Sequence, residues 1–442
     1  MYPNLYYLFK DLFGVEWAAL KVLNMFGLMV ALSFVAAGIV FSSELRRKEK
    51  LGLLLPREEE ITVGRPASIF ELVFNGIVGF FFGYKILGLL FARPDDVNPQ
   101  DYIFSSAGSI LGGLVLAAVL AAMKFYDRKK HQLKTPETRK VRIWPHDRVG
   151  DIIILALVFG ILGSKLFDSL EHWDKFVADP IKSLLSPSGL AFYGGLIMAT
   201  MAIVWFAYRK GIKIKHLVDS AAPAIMIAYA VGRIGCQLAG DGDWGVFNSA
   251  YVSDEMGNVT LAEGEDFKNS LQKNASYFTD GTAINEAGVP AGVTDRTYGT
   301  LENVPSRYWK GPSFLPNWMF AYSFPQNVNG DGMIMPGITD EHNRVLPQPV
   351  IPTSFYETII CGLMFLLMWL LRKKITIPWL MFGFYLVLNG LERFFIETVR
   401  VNKVYDAGGF NLSQAEIIAL WLIFAGIALS AFAFIRRKQL VQ

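Results

Sequence analysis

The chain has 442 residues, of which 52% are hydrophobic, 14% aromatic and only 18% charged, with a formal net charge of +3. Soluble domains carry about 25% charged residues. Here the charges collect in short segments between long apolar runs, which excludes an ordinary soluble globular protein. Cys236 and Cys361 are the two cysteines and both fall in apolar runs, which excludes a disulfide framework and a cysteine zinc site. The five histidines (His131, His146, His172, His216, His342) sit in loops or near helix ends, so no buried metal cluster is expected, and no metal, nucleotide or other cofactor is implied.

The composition predicts an all-α polytopic membrane protein, because lipid forces each helix to satisfy its own backbone polar groups. Residues 1–22 read as an extracytoplasmic N-terminal segment without a basic region and cleavage site, so no removable signal peptide is expected. Nine spans follow, near 23–41, 69–92, 105–124, 149–169, 189–208, 217–239, 355–371, 379–397 and 414–435. Basic residues crowd every second connection: Arg46 to Lys50, Arg128 to Arg142, Arg209 to Lys215, Arg372 to Lys374 and Arg436 to Lys438. By the positive-inside rule the N-terminus lies outside and the C-terminus in the cytoplasm.

Spans one to six (23–240) contain two similar hairpins, 67–140 and 145–212. Phe82-Gly-Tyr-Lys85 and Ser106-Ala-Gly-Ser-Ile-Leu-Gly-Gly-Leu114 match Gly163-Ser-Lys165 and Ser188-Gly-Leu-Ala-Phe-Tyr-Gly-Gly-Leu196. Such small residues permit close helix packing. Only the second copy places a tyrosine, Tyr193, before its Gly194-Gly195 pair, where the first has Leu111, so the second is the better candidate for chemistry. The polar stretch 241–350 reads as a small extracytoplasmic head of irregular or β character, and 351–442 as spans seven to nine. Within the head, Asn327-Val-Asn329-Gly-Asp331-Gly332 starts like a calcium loop, but Ile338 stands where a bidentate glutamate is needed, so a polar turn is the better reading.

Ionisable residues inside apolar helices are costly, by about 2.5–3.5 kcal/mol on the mildest scale, and mark functional sites. Three places qualify. Arg233 lies near the outer end of span six, in Gly232-Arg-Ile-Gly235-Cys236, before Asp241, Asp243 and Gly245. Arg393, Glu397 and Arg400 are spaced to share one helix face. Tyr356 and Glu357 open span seven. Two arginines at one leaflet suit a phosphate, since guanidinium pairs bidentately with it and does not deprotonate. Taken alone, any one of them could be an arginine reaching the interface from a helix end.

These segments resemble the prolipoprotein diacylglyceryl transferase family. Gly232 through Trp244-Gly245 is similar to the family signature G-R-I-G-N-F-x-N-G-E-x-W-G. Phe192-Tyr-Gly-Gly-Leu196 resembles F-[HY]-G-G-L, Pro352 to Glu357 resembles H-P-[ST]-x-L-Y-E, and Arg393 to Arg400 resembles R-F-x-x-E-x-x-R. Asn24-Met-Phe-Gly-Leu28 stands where the family has W-Y-G-L. The order is the family's. The departures are Tyr193 for histidine, Cys236 for asparagine, Asp241 for glutamate with one extra residue, Phe26 for tyrosine and Ile351 for histidine. An additional hairpin and a head insertion of about a hundred residues complete a divergent pattern.

The resemblance implies transfer of the diacylglyceryl group of phosphatidylglycerol to the lipobox cysteine thiol of a preprolipoprotein signal peptide. A thioether forms, glycerol phosphate leaves, and the setting is the bacterial inner membrane. It implies catalytic roles for Tyr193, Arg233 and Arg393, and substrate-binding roles for Gly194, Gly195, Asp241, Gly245, Tyr356, Glu357, Glu397 and Arg400. No nucleic-acid partner is expected. Two other classes stay open at this point: a lipid or solute transporter, which would also carry repeats and buried ions, and a non-catalytic relative whose head binds partners.

Overall fold

Apolar runs too long for a soluble helix dominate the architecture, and the computed structural model turns nearly all of them into helices. It describes residues 1–88, 102, 105–186, 191–242, 244–284, 290–293, 297–401, 404–406 and 411–441. The helices used below are α1 (Leu5–Phe13), α2 (Met25–Lys50), α3 (Ile69–Phe82), α4 (Ile110–Lys130), α5 (Val149–Glu171), α6 (Phe192–Lys210), α7 (Ile214–Ala239), α8 (Asp266–Lys273), α9 (Ala275–Thr279), α10 (Thr353–Leu371), α11 (Leu380–Glu397) and α12 (Gln414–Ile435). Among the described residues, eight helices are long and apolar enough to cross a membrane. The ninth expected span, α11, is an 18-residue helix that carries Glu392, Arg393 and Glu397 in its last two turns. It is the charge it brings to the site, not its length, that keeps it out of the apolar class. The protein is thus a multi-pass, mostly helical membrane protein. The acidic connection Asp95–Asp101 and the second repeat's Ser188-Gly-Leu190 lie outside the described residues.

Two compact units divide the chain: Met1–Val15, Leu23–Phe41 and Val218–Gln442 form one, Glu16–Val22 and Ser42–Leu217 the other. In the first unit the N-terminal segment holds the short helix α1. Asn4 caps α1 by accepting a hydrogen bond from Tyr6 N (3.1 Å), and Gly14 ends it at φ 66°. Tyr2 N donates to Leu238 O (2.8 Å), tying the start of the chain to the end of α7. Buried Ala222, Met226, Ala230, Cys361, Met368 and Met381 make the core where α7, α10 and α11 meet. Asp219 of α7 accepts from Trp379 N (2.9 Å) and Phe382 N (3.0 Å), placing a carboxylate on the N-terminal amides of α11. α11 and α12 touch through small residues: a Cβ on Gly390 would stand 2.8 Å from Ala419 O, one on Gly426 2.7 Å from Gly383 O.

The head follows α7 and returns to α10. Besides the expected strands it contains α8 and α9. A four-stranded antiparallel sheet runs Arg344–Val345, Gly332–Ile334, Pro290–Val293, Thr282–Ile284. Trp244, Phe247, Tyr277, Phe278, Phe324 and Leu346 pack its core. The 327–332 segment is a locked polar turn: fully buried Asn327 donates to Asp331 O (2.8 Å) and accepts from Asp331 N (2.9 Å).

The second unit contains the two hairpins, α3 with α4 and α5 with α6. Each closes at glycines that only hydrogen side chains allow. A Cβ on Gly83 would lie 2.3 Å from Gly112 O, and one on Gly163 2.4 Å from Gly194 O. Each also makes the same loop bond, Ser109 N to Tyr84 O (2.9 Å) and Ala191 N to Ser164 O (3.1 Å). Strands β1 (Arg57–Val63) and β2 (Glu137–Ile143) pair antiparallel over their full length. Cross-strand charges meet as Arg142–Glu58 (3.2 Å) and Lys140–Glu60 (3.8 Å). Glu59 instead binds Arg148 (2.6 Å) and Lys210 (3.1 Å), and the Arg148 guanidinium, then Lys210, hold its carboxyl below the ordinary range.

Candidate active site

The charged cluster of the first unit forms at the head-side ends of α7, α10 and α11. Arg233 lies less than two turns from the end of α7, Glu357 in the second turn of α10, and Arg393 one turn from the end of α11. Three different helices thus bring their ionisable residues to one level rather than to mid-helix.

Glu357 is the hub. It is fully buried, at 0% exposure. Its Oε2 lies 3.0 Å from Arg233 Nε and its Oε1 3.5 Å from Arg393. The Arg233 approach is short but lacks hydrogen-bond alignment, so it is a close ion pair rather than a bidentate fork. Arg393 also lies 3.7 Å from Glu397 one turn on. The two guanidiniums predicted from the sequence are therefore held together, bridged by one carboxylate. Their exposure differs: the Arg233 side chain is 12% accessible and the Arg393 side chain 29%. Like-charged groups at this spacing repel unless a carboxylate sits between them or an anion joins them. Breaking a buried ion pair by removing one partner costs about 3–5 kcal/mol.

Backbone pairing fixes the three helix ends relative to one another. Gly245 N donates to Ile351 O (2.9 Å) just before α10, and Val246 N to Val399 O (2.8 Å) just after α11. Gly245 and Arg400 form a β-bridge. A Cβ on Gly245 would stand 2.7 Å from Val399 O and 2.9 Å from Ile351 O, which is why glycine is needed there. Gly235 serves a second approach, since a Cβ there would come within 2.9 Å of Met29 Cβ on α2.

Several expected positions differ in detail. The helical spacing predicts Arg393, Glu397 and Arg400 on one face. The structure ends α11 at Glu397, turns at Thr398, and places Arg400 in the bridge with Gly245, so the shared face holds only Arg393 and Glu397. Glu397 is buried and accepts from Ser413 Oγ (2.9 Å) at the N-cap of α12. Tyr356 donates its hydroxyl to Met319 O of the head (2.6 Å). Asp241 follows Gly240, whose φ of 67° turns the chain out of α7, and is partly buried. Asp243 lies outside the described residues. Cys236 is a buried cysteine whose sulfur accepts from Arg233 (3.4 Å). Tyr193, Gly194 and Gly195 belong to the second unit, where the glycines are the tight contact of the α5–α6 hairpin and Tyr193 is 44% exposed.

Two participants were not picked from the sequence. Tyr229 donates its hydroxyl to Glu357 Oε1 (3.0 Å) and lays its ring under the Arg233 guanidinium at 5.5 Å. It lies one turn before Arg233, so the i, i+4 spacing carried the signal. Glu392 is 2% exposed and neither carboxylate oxygen makes a hydrogen bond. Its adjacency to Arg393 in an apolar helix was the readable sign.

Comparisons with known proteins identify the family of the chain. The model of the prolipoprotein diacylglyceryl transferase family matches residues 110–432, a stretch that includes every predicted site residue. The phosphatidylglycerol–prolipoprotein diacylglyceryl transferase of Shouchella clausii is 24% identical over 340 residues, covering 76% of this chain and 91% of that protein. Its counterpart in Streptococcus pyogenes serotype M5 is 24% identical over 334 residues, covering 75% of this chain and 89% of its own length.

Proposed function

The chain belongs to the prolipoprotein diacylglyceryl transferase family, and on that premise we propose how its residues perform the transfer. The protein is a multi-pass membrane transferase whose substrates are phosphatidylglycerol and a prolipoprotein. The finer reading is that the acceptor is the lipobox cysteine of the signal peptide. In that reading the enzyme sits in the bacterial inner membrane with the N-terminus and head outside and the C-terminus in the cytoplasm. The alternation of basic connections supports that orientation.

The reaction needs a thiolate at a glyceryl carbon and a phosphate that can leave. The sulfur attacks the sp³ carbon, the carbon–oxygen bond to phosphate breaks, and the thiol proton ends on the departing glycerol phosphate or on a nearby base. A thiol with pKa ~8.5 needs a base or a positive field to ionise. The leaving anion needs fixed positive charge in place before the bond breaks. The observation that carries the proposal is the Arg233–Glu357–Arg393 bridge. It supports a role for both guanidiniums as ligands of the phosphodiester, with Glu357 setting their separation and Glu397 holding Arg393. Asp241, Tyr356 and Arg400 border this cluster in the sequence motifs and are assigned to binding the head group. Gly245 allows the close backbone approach, as do Gly194 and Gly195 in their hairpin. Tyr193 takes its part from the family motif: it orients the lipid or accepts the thiol proton.

Arg233→Ala is the decisive variant. Purified protein in phosphatidylglycerol nanodiscs is expected to lose lipidation of a model prolipoprotein while remaining folded. Unchanged lipidation would remove the phosphate-binding role. The site's place at the head-side helix ends, rather than at mid-helix, argues for this transfer over the transport alternative.

A further inference from the structure

The head carries a loop to which the proposed transfer assigns no role of its own. Its two ends are stapled by one side chain. Asn248, 0% exposed, donates to Trp309 O (2.9 Å) and Phe320 O (3.0 Å) and accepts from Trp309 N (3.1 Å). The residues between close on themselves, with Leu315 N donating to Pro312 O (3.0 Å) and Phe320 N to Asn317 O (2.9 Å), and Gly311 N donates outside the loop to the Tyr251 hydroxyl (3.0 Å). This is a compact Ω-type loop, held by its own bonds and by Asn248 and Tyr251 beside it.

What the loop exposes is unusual for a polar head. Phe314 is 83% exposed, Tyr308 73% and Trp318 44%, and Lys310 is exposed beside them. A loop that leaves Tyr308, Trp309, Phe314 and Trp318 exposed needs a partner for them. The base of the loop says where that partner is. Trp318 packs on Phe355 at 5.1 Å between ring centroids, Trp309 on Tyr356 at 5.5 Å, and the Tyr356 hydroxyl binds Met319 O. Phe355 and Tyr356 lie in the first turn of α10, a membrane-spanning helix. The loop is therefore continuous with the place where that span leaves the bilayer. Aromatic side chains interspersed with lysine are the composition the head-group layer takes up, and a cation there complements anionic lipid.

We propose that the loop 308–320 is a membrane-surface anchor: its aromatic side chains enter the head-group layer of an anionic phospholipid bilayer beside α10 and hold the head against it. The proposal does not depend on the transfer reaction.

The test uses the full-length protein in nanodiscs containing phosphatidylglycerol and phosphatidylcholine. Phe314→Cys is labelled with an environment-sensitive fluorophore. The native Cys236 and Cys361 are both buried, which directs the label to the new site. With no substrate added, the emission is expected to be blue-shifted, and lipids bearing a nitroxide near the head group should quench it at least about twofold more than a water-soluble nitroxide does, as expected for a depth of roughly 5–10 Å. Tyr308→Cys is the second probe and should give the same ordering even if the Phe314 variant folds poorly. A Lys268→Cys probe on the exposed face of α8 should show the opposite ordering. Stronger quenching by the aqueous reagent at both loop positions would overturn the proposal. So would a blue shift that appears only when a prolipoprotein signal peptide is added, because the aromatics would then be a peptide-docking surface.

Discussion

Replacing Glu357 by glutamine tests the organisation of the site without changing its shape. The side chain is fully buried, it separates two guanidiniums, and it accepts the Tyr229 hydroxyl. Removing one partner of a buried ion pair costs about 3–5 kcal/mol. Two features reduce that figure here. Glutamine keeps an acceptor oxygen in place, and Arg393 stands at 3.5 Å with 29% of its side chain accessible, so solvent already screens that half of the bridge. The remaining loss falls mainly on Arg233, whose side chain is 12% accessible at 3.0 Å. We expect about 2 kcal/mol, which is a ~30-fold slower transfer if the arginines act on the transition state. Glu357→Ala should cost more, because it leaves both guanidiniums without their shared carboxylate, and it should also lower thermal stability. The assay is the initial rate of lipidation of a prolipoprotein-derived peptide in phosphatidylglycerol nanodiscs, followed by mass spectrometry, with unfolding monitored in parallel. A glutamine variant with the wild-type rate and wild-type melting would show that the carboxylate does not organise the pair, and the argument from the bridge would fail.

Four further outcomes follow from particular contacts. Tyr229→Phe removes one hydrogen bond to Glu357 and should slow transfer by ~5-fold, about 1 kcal/mol, with little change in melting temperature; an unaltered rate would leave Tyr229 as packing alone. Arg393→Lys keeps the charge but loses the planar fork, so it should recover little of the activity lost in Arg393→Ala, and full rescue would point to a simple point-charge role. Gly245→Ala drives a methyl group against two backbone carbonyls and should destabilise the protein by about 1–3 kcal/mol in thermal unfolding, an effect absent from Gly362→Ala, where the added carbon meets nothing. The fourth concerns acid. Arg148 and then Lys210 hold the Glu59 carboxyl below its ordinary range, so its stabilising contribution is complete above the unfolded value and disappears as the pH falls through the lower, folded one. The stability gap between wild type and Glu59→Gln should therefore shrink below about pH 4, and a gap that widens in acid would contradict the assignment.

Much of this protein was readable because lipid imposes one-dimensional rules. A helix must satisfy its own backbone, so apolar length announces each span, and the expected runs became helices from Met25–Lys50 to Gln414–Ile435. Charges are costly in those runs, so Arg233, Glu357 and Arg393 stood out individually, and their motifs pointed to the family. Other features depend on relations between distant segments. Nothing local in 353–371 says that Glu357 will bridge arginines from two other helices; that follows from α7, α10 and α11 meeting over a common core. The helical spacing of Arg393, Glu397 and Arg400 suggested a continuous face, yet α11 stops at Glu397 because Val399 and Arg400 are drawn into backbone pairing with Val246 and Gly245. The helices α8 and α9, and the stapled loop closed by Asn248, were likewise invisible as patterns, since short segments take their form from what they pack against. Periodicity and charge cost act along the chain and could be read from it. Ion-pair bridges, helix termination by a remote strand and the exposure of a loop's aromatics are set by segments far apart in the chain, so only the folded arrangement decides them.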